Sequence, residues 1–231
     1  MKKLLLSLFV IFGLTSLSVN ADMTNVGIKI TSANMEASGS ETVDSGSTNS
    51  GGAAKSQPSK DANFQIGSLF VERQLEGVLG GNDLALGLEL VPFTAEIDKL
   101  GGSDGFDATL EIGMLATAYV QPMFKANDDV TIFVKAGYSQ ADLDINSISR
   151  QAGSANQTGD TQSTDGAQSK SLEGPMYGAG IQVSMNSVLD FVRLEGTVTD
   201  FDEITHTNSN GKVLKADAEL TTISLSLVKS F

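Results

Sequence analysis

Apolar and polar residues alternate one by one along much of this chain, in segments of about ten residues, which is the period of a β-strand with two different faces. The final segment shows it best. From Thr221 to Phe231 the odd positions include Ile223, Leu225, Leu227 and Phe231, while Thr222, Ser224, Ser226 and Ser230 stand between them. In 109–121, Leu110, Ile112, Met114, Ala116, Ala118 and Val120 oppose Glu111, Gly113, Thr117, Tyr119 and Gln121. In 84–91, Leu84, Leu86, Leu88 and Leu90 oppose Ala85, Gly87, Glu89 and Val91, and in 191–199, Val192, Leu194 and Val198 oppose Arg193, Glu195 and Thr197. Fainter copies occupy 26–36, 130–140 and 175–185. Segment 64–75 is read with Leu69 and Val71 on one face and Ser68, Phe70 and Glu72 on the other, the parity that keeps Glu72 off the apolar side. Eight strands are therefore predicted.

The intervals between them alternate in length: 37–61, 93–107, 143–171 and 202–212 are long, whereas 76–83, 125–129 and 186–189 are short. Pro92, Pro122 and Pro175 are expected at strand ends, where a missing N–H does no harm. No apolar run approaches the length of a membrane-spanning helix. Eight alternating strands suit a soluble barrel, with the apolar face inward, or a membrane barrel, with that face toward lipid. Three features favour the second. The polar faces are small hydroxyls and glycines with sparse charge, the long and short connections alternate, and the chain ends in a strand on an aromatic residue. The expected fold is all-β: an eight-stranded antiparallel transmembrane up-and-down β-barrel with short periplasmic turns and long extracellular loops.

Residues 1–21 read as a signal peptide, with basic Lys2 and Lys3, an apolar run from Leu4 to Leu17 and small residues at Val19 and Ala21. That leaves 22–231 as the barrel domain. The chain lacks Cys and has one His, His206, which excludes disulfides, Cys-ligated metals, thiol catalysis and multi-histidine centres. A net charge of −13 argues against nucleic acid as a partner. No cofactor motif is read.

On the interior parity stand Lys29, Lys135 and Arg193 against Glu72, Glu89, Glu111 and Glu195. An eight-stranded barrel is just wide enough inside for side chains to fill it, and isolated charges there are costly. A polar plug centred on Arg193 is expected, since a guanidinium can bridge two carboxylates. The alternative use of the same charges is a narrow, porin-like diffusion channel. Arg73 and Lys229 fall on the lipid-facing parity near the periplasmic strand ends, where long stems let their charges reach the interface.

Two stretches carry a family resemblance. Thr222–Phe231 resembles the terminal signal of outer-membrane barrels, whose last Phe is recognised by the insertion machinery, which here implicates Phe231. Phe191–Phe201 resembles the matching strand of OmpA-like and opacity-type surface barrels, of which the barrel part alone is expected here, without a peptidoglycan-binding domain. The resemblance implies residence in a Gram-negative outer membrane, with its lipid and lipopolysaccharide and the insertion machinery as partners, as a monomer. The long intervals hold twelve acidic residues against six basic ones, a charge suited either to divalent cations bridging lipopolysaccharide or to a solvated surface. Gly101–Asp107 lacks the acid spacing of a calcium loop. Barrels that deacylate lipid A use His, Ser and Glu; His206, Ser209 and Glu219 are the counterparts, but His and Ser are three positions apart here rather than two, in a soft segment. No enzyme is expected. The expected role is structural or surface-interacting, in membrane integrity or adhesion.

Overall fold

In a computed structural model the described residues are 23–43, 55–92, 95–101, 106–150, 168–185, 188–207 and 212–231. The expected signal peptide, 1–21, lies outside them. Among the described residues nine strands form one sheet: β1 (Met23–Val43), β2 (Lys55–Leu79), β3 (Asn82–Val91), β4 (Ala95–Gly101), β5 (Phe106–Lys125), β6 (Val130–Arg150), β7 (Gln168–Ser184), β8 (Phe191–Thr207) and β9 (Lys212–Ser230). β3 and β4 lie end to end across Pro92, and both pair with β5. They make one stave, so the barrel has eight. Each stave is antiparallel to its sequence neighbours, and β1 closes the sheet on β9. Two hydrogen bonds between the backbones of Thr24 and Phe231, 3.0 and 2.9 Å long, finish that seam.

Most strands outrun the alternation that announced them. β2 has 25 residues, whereas a tilted strand crosses hydrocarbon in roughly 9–11. The extra length occupies much of the expected long intervals, including β4 within 93–107 and the upper parts of β6 and β7 within 143–171. Two prolines also depart from expectation. Pro122 lies inside β5 and Pro175 inside β7. The ladder tolerates them because β5 and β6 do not pair at 121–122, and pairing of β7 with β8 begins only at Met176.

The outer wall is apolar. Ile28, Ile30, Leu69, Ile132, Tyr177, Leu194, Ile223 and Leu225 are all exposed, forming a band that hydrocarbon covers without cost and water does not. Inside, alternate residues are buried. One expected parity fails: a bulge in β5 between Ile112 and Leu115 turns Ile112 inward, while Met114 and Val120 stay outside. The lumen is also not polar throughout. Around the upper parts of the strands Ala33, Met35, Ile112, Ala141, Leu172, Phe201 and Leu220 form a buried apolar cluster. The polar filling lies toward the end that bears the short turns.

Candidate functional site: a charged plug in the lumen

Lys29, Glu72, Glu89, Lys135, Arg193 and Glu195 come from five different strands, yet the barrel's curvature points them at one another. Arg193, 1% exposed, grips Glu72 of β2 with both terminal nitrogens; Nη1 donates to Oε2 at 2.9 Å and Nη2 to Oε1. Its Nε donates to Gln182 Oε1 at 2.7 Å. Glu72 also accepts from Asn25 Nδ2 at 2.9 Å and from the Tyr119 hydroxyl at 3.0 Å. Each of its oxygens thus receives two donors, about the full capacity of a carboxylate. Glu195 bridges two ammonium groups, accepting from Lys135 Nζ at 2.6 Å on one oxygen and from Lys29 Nζ on the other. Lys29 reaches on to Glu89 at 2.5 Å, and Glu89 takes the Ser68 hydroxyl at 2.7 Å.

Three cations meet three anions, so this cluster is neutral. Buried charge survives only when paired and hydrogen-bonded, and here each member is. Aromatic faces complete the packing. Lys135 Nζ stands 4.2 Å from the centre of the Tyr119 ring, and the Arg193 guanidinium lies 5.5 Å from Phe70 and 5.8 Å from Phe133. Such contacts strengthen when desolvated. Room for the rings comes from cross-strand glycines: Gly27 pairs with Phe70 and Gly87 with Tyr119, and a Cβ on either glycine would overlap its ring.

Below the cluster a chain of amides leads to the short turns. Asn25 donates to Gln74 at 3.1 Å, Gln74 to Asp83 at 3.0 Å, and the Gly77 N–H to Asp83 at 2.9 Å. Both amide atoms of Gln121 and, level with Lys29 and Arg193, the Ser226 hydroxyl are buried without a hydrogen-bond partner among the described residues. Above the cluster lies a cavity of about 40 Å³, floored by Lys29 and Glu89 and ringed by hydroxyls, among which Thr31 bonds Ser224 and Thr117 bonds Ser139, each at 2.8 Å. At the level of Arg193 the lumen is occupied by the paired side chains of Arg193, Glu72, Lys135 and Glu195.

The fourth expected interior acid, Glu111, stands on β5 in register with Glu96 and Asp144, and its side chain is outside the described set. Arg73 and Lys229 are both half-buried at the turn end; Lys229 Nζ lies 3.0 Å from Asp190. Phe231 is 77% exposed at the end of β9. Of the catalytic counterparts, Ser209 and the His206 side chain lie outside the described residues, and Glu219 is exposed on the outer wall. The parity argument named the charges but passed over Asn25, Tyr119 and Gln182, which share the same faces and complete the shell around Glu72 and Arg193.

At the turn end the Asp190 carboxylate accepts the Ser230 N–H at 2.8 Å, and this bond, with Lys229 second, holds it below its ordinary range. At the far end Lys215 donates to Glu203 at 2.7 Å; that bond lowers the Glu203 pKa and raises that of Lys215.

No protein-family model matches the chain, and no curated protein does. Among solved structures it is similar to Ail, the attachment invasion locus protein of Yersinia pestis, at 12% identity and a TM-score of 0.36, covering 88% of this chain and 97% of that one. It is also similar to the outer membrane protease OmpT of Escherichia coli, at 9% identity and a TM-score of 0.48, covering 94% of this chain and 99% of that one. At such identities the likeness concerns the barrel alone.

Proposed function

We propose that this chain is an outer-membrane β-barrel whose lumen is shut, and that it serves the membrane and its outer surface rather than passage through it. The single observation behind this reading is the Arg193–Glu72 pair, buried in mid-lumen with every polar atom engaged. Ions crossing would have to break a desolvated pair held by aromatic faces on either side. The apolar outer wall supports the membrane setting, and the strands that rise past it provide surface for contact with lipopolysaccharide or another cell. The likeness of 191–201 and 222–231 to OmpA-like and opacity-type barrels, the recognition of Phe231 by the insertion machinery and a monomeric state belong to the same proposal.

Two measurements test it. Pure protein in a planar bilayer should show no steady conductance; regular openings would replace this reading with a narrow diffusion channel. Unboiled protein from outer-membrane fractions should run differently from boiled protein in SDS gels. Identical mobility would remove the barrel from the membrane.

A further inference from the structure

The upper lumen is apolar where the part below it is charged. A second cavity, of about 20 Å³, lies above the hydroxyl ring, walled by Phe64, Val91, Ile112, Leu115, Phe201 and Leu220. It is big enough for one water molecule but offers almost nothing to hydrogen-bond, so it stays dry. Ile112 reaches this wall only because β5 bulges after it, at the cost of a broken ladder. Val91, Leu115 and Leu220 also border the hydroxyl-lined cavity beneath, so these side chains stand between the two spaces. Met35 in the apolar cluster and Met176 beside the lower cavity are unbranched and adapt readily.

The wall beside this chamber is unusual. Among the described residues the β2–β3 ladder stops at Leu69–Leu90; above it β2 pairs with β1 alone, and β4 pairs with β5 alone. β2 and β4 approach within 8 Å without pairing. Phe64 of β2 lines the chamber next to this unlaced joint, and Val91 lines it just before the break at Pro92. The joint sits at the upper edge of the apolar outer band, above exposed Leu69 and Leu90.

We propose that the chamber, opened into the cavity beneath by movement of Val91, Leu115 and Leu220, receives the terminal methyl end of a saturated hydrocarbon chain, admitted between β2 and β4, with the hydroxyl ring and the Lys29–Glu89 pair as its floor. Apolar walls favour methylene groups, whereas water gains nothing there. The charged floor stops the chain. Its polar head stays outside, whether it belongs to a membrane lipid or to a free fatty acid.

Photolabelling separates the cases. The full barrel is refolded into vesicles containing a phospholipid with a diazirine at its chain end, or into unlabelled vesicles given a fatty acid with the same group. After illumination, peptides are mapped by mass spectrometry. Adducts on Phe64, Ile112 or Leu220 are expected, in addition to those on outward Leu194 and Leu225 that any lipid contact produces. Interior adducts with the phospholipid identify a membrane chain; adducts with the fatty acid alone identify a free amphiphile. Leu220→Trp, which fills the chamber, should cut interior labelling at least several-fold while outer labelling and heat-modifiable mobility persist. Ala141→Leu gives the same test if Leu220→Trp does not fold. Outer-wall adducts without interior ones, from both probes, overturn the proposal while leaving the closed-lumen reading intact.

Discussion

Arg193 on β8 and Glu72 on β2, 121 positions apart, meet through two parallel hydrogen bonds in the middle of the lumen. Taking away one partner leaves the other charged, buried and without its counter-ion. Arg193→Met should therefore destabilise the barrel by about 3–5 kcal/mol, while Arg193→Met combined with Glu72→Met should cost much less, because apolar side chains replace a buried pair at little net loss. Urea midpoints of the barrel refolded in lipid vesicles measure both. A single variant as stable as the double would mean that the pair is not desolvated.

The glycine facing Tyr119 offers a second, geometric check. A Cβ on Gly87 would overlap the Tyr119 ring, so Gly87→Ala should cost about 1–3 kcal/mol by overpacking. With Tyr119→Ala already made, the added methyl has space, and Gly87→Ala should then be nearly neutral. The double-mutant cycle, read from the temperature at which the folded gel band disappears, isolates this coupling. Additive costs would show that the ring and the glycine do not touch.

How far the sequence discloses this structure depends on what each face meets. Ile223, Leu225 and Leu227 had to be apolar to stand in hydrocarbon, and Ser224 and Ser226 had to be small to fit inside, so β9 could be read residue by residue. The burial of Lys29, Glu72, Lys135, Arg193 and Glu195 follows the same parity. Ile112 did not, since a bulge changes the face without changing the apolar character of the residues around it. The upper end of β2 did not either, because Ser59–Asn63 is polar but for Ala62 and offers no apolar period. The shell around Glu72 was hidden differently. Asn25 and Tyr119 lie on the right faces, but which strands meet across a barrel depends on stagger, and the alternation within a strand does not record it.

Asp190 lies in the turn before β8, where its carboxylate accepts the Ser230 N–H and faces Lys229. Its pKa is lowered from an ordinary 3.8, so the ionised form favours the folded barrel. That contribution is complete above the ordinary value and disappears as pH falls below about 4 toward the depressed one. Asp190→Asn should accordingly lower stability at pH 6 and make less difference near pH 3, because the benefit of the ionised carboxylate shrinks once pH falls below the ordinary 3.8. Unfolding midpoints at the two pH values give the comparison. A constant difference would assign the effect of the substitution to packing rather than charge.

On the outer wall, four acids stand side by side across four strands: Asp61 pairs with Glu36, Glu36 with Glu219, and Glu219 with Asp200. All four are exposed. Like charges directly opposite one another on a sheet repel, each pair by roughly 0.2–1 kcal/mol relative to a neutral pair. Glu219 has an acidic neighbour on both sides, so Glu219→Lys converts two repulsive contacts into attractive ones. The variant should be more stable than the parent at low ionic strength by about 1 kcal/mol, and the gain should shrink in strong salt, since exposed charges are screened. Glu219→Gln should give roughly half of that gain. If lysine instead weakens the barrel in divalent-free buffer, the row is not governed by mutual repulsion, and a favourable role for the negative charge at that level of the wall has to be sought.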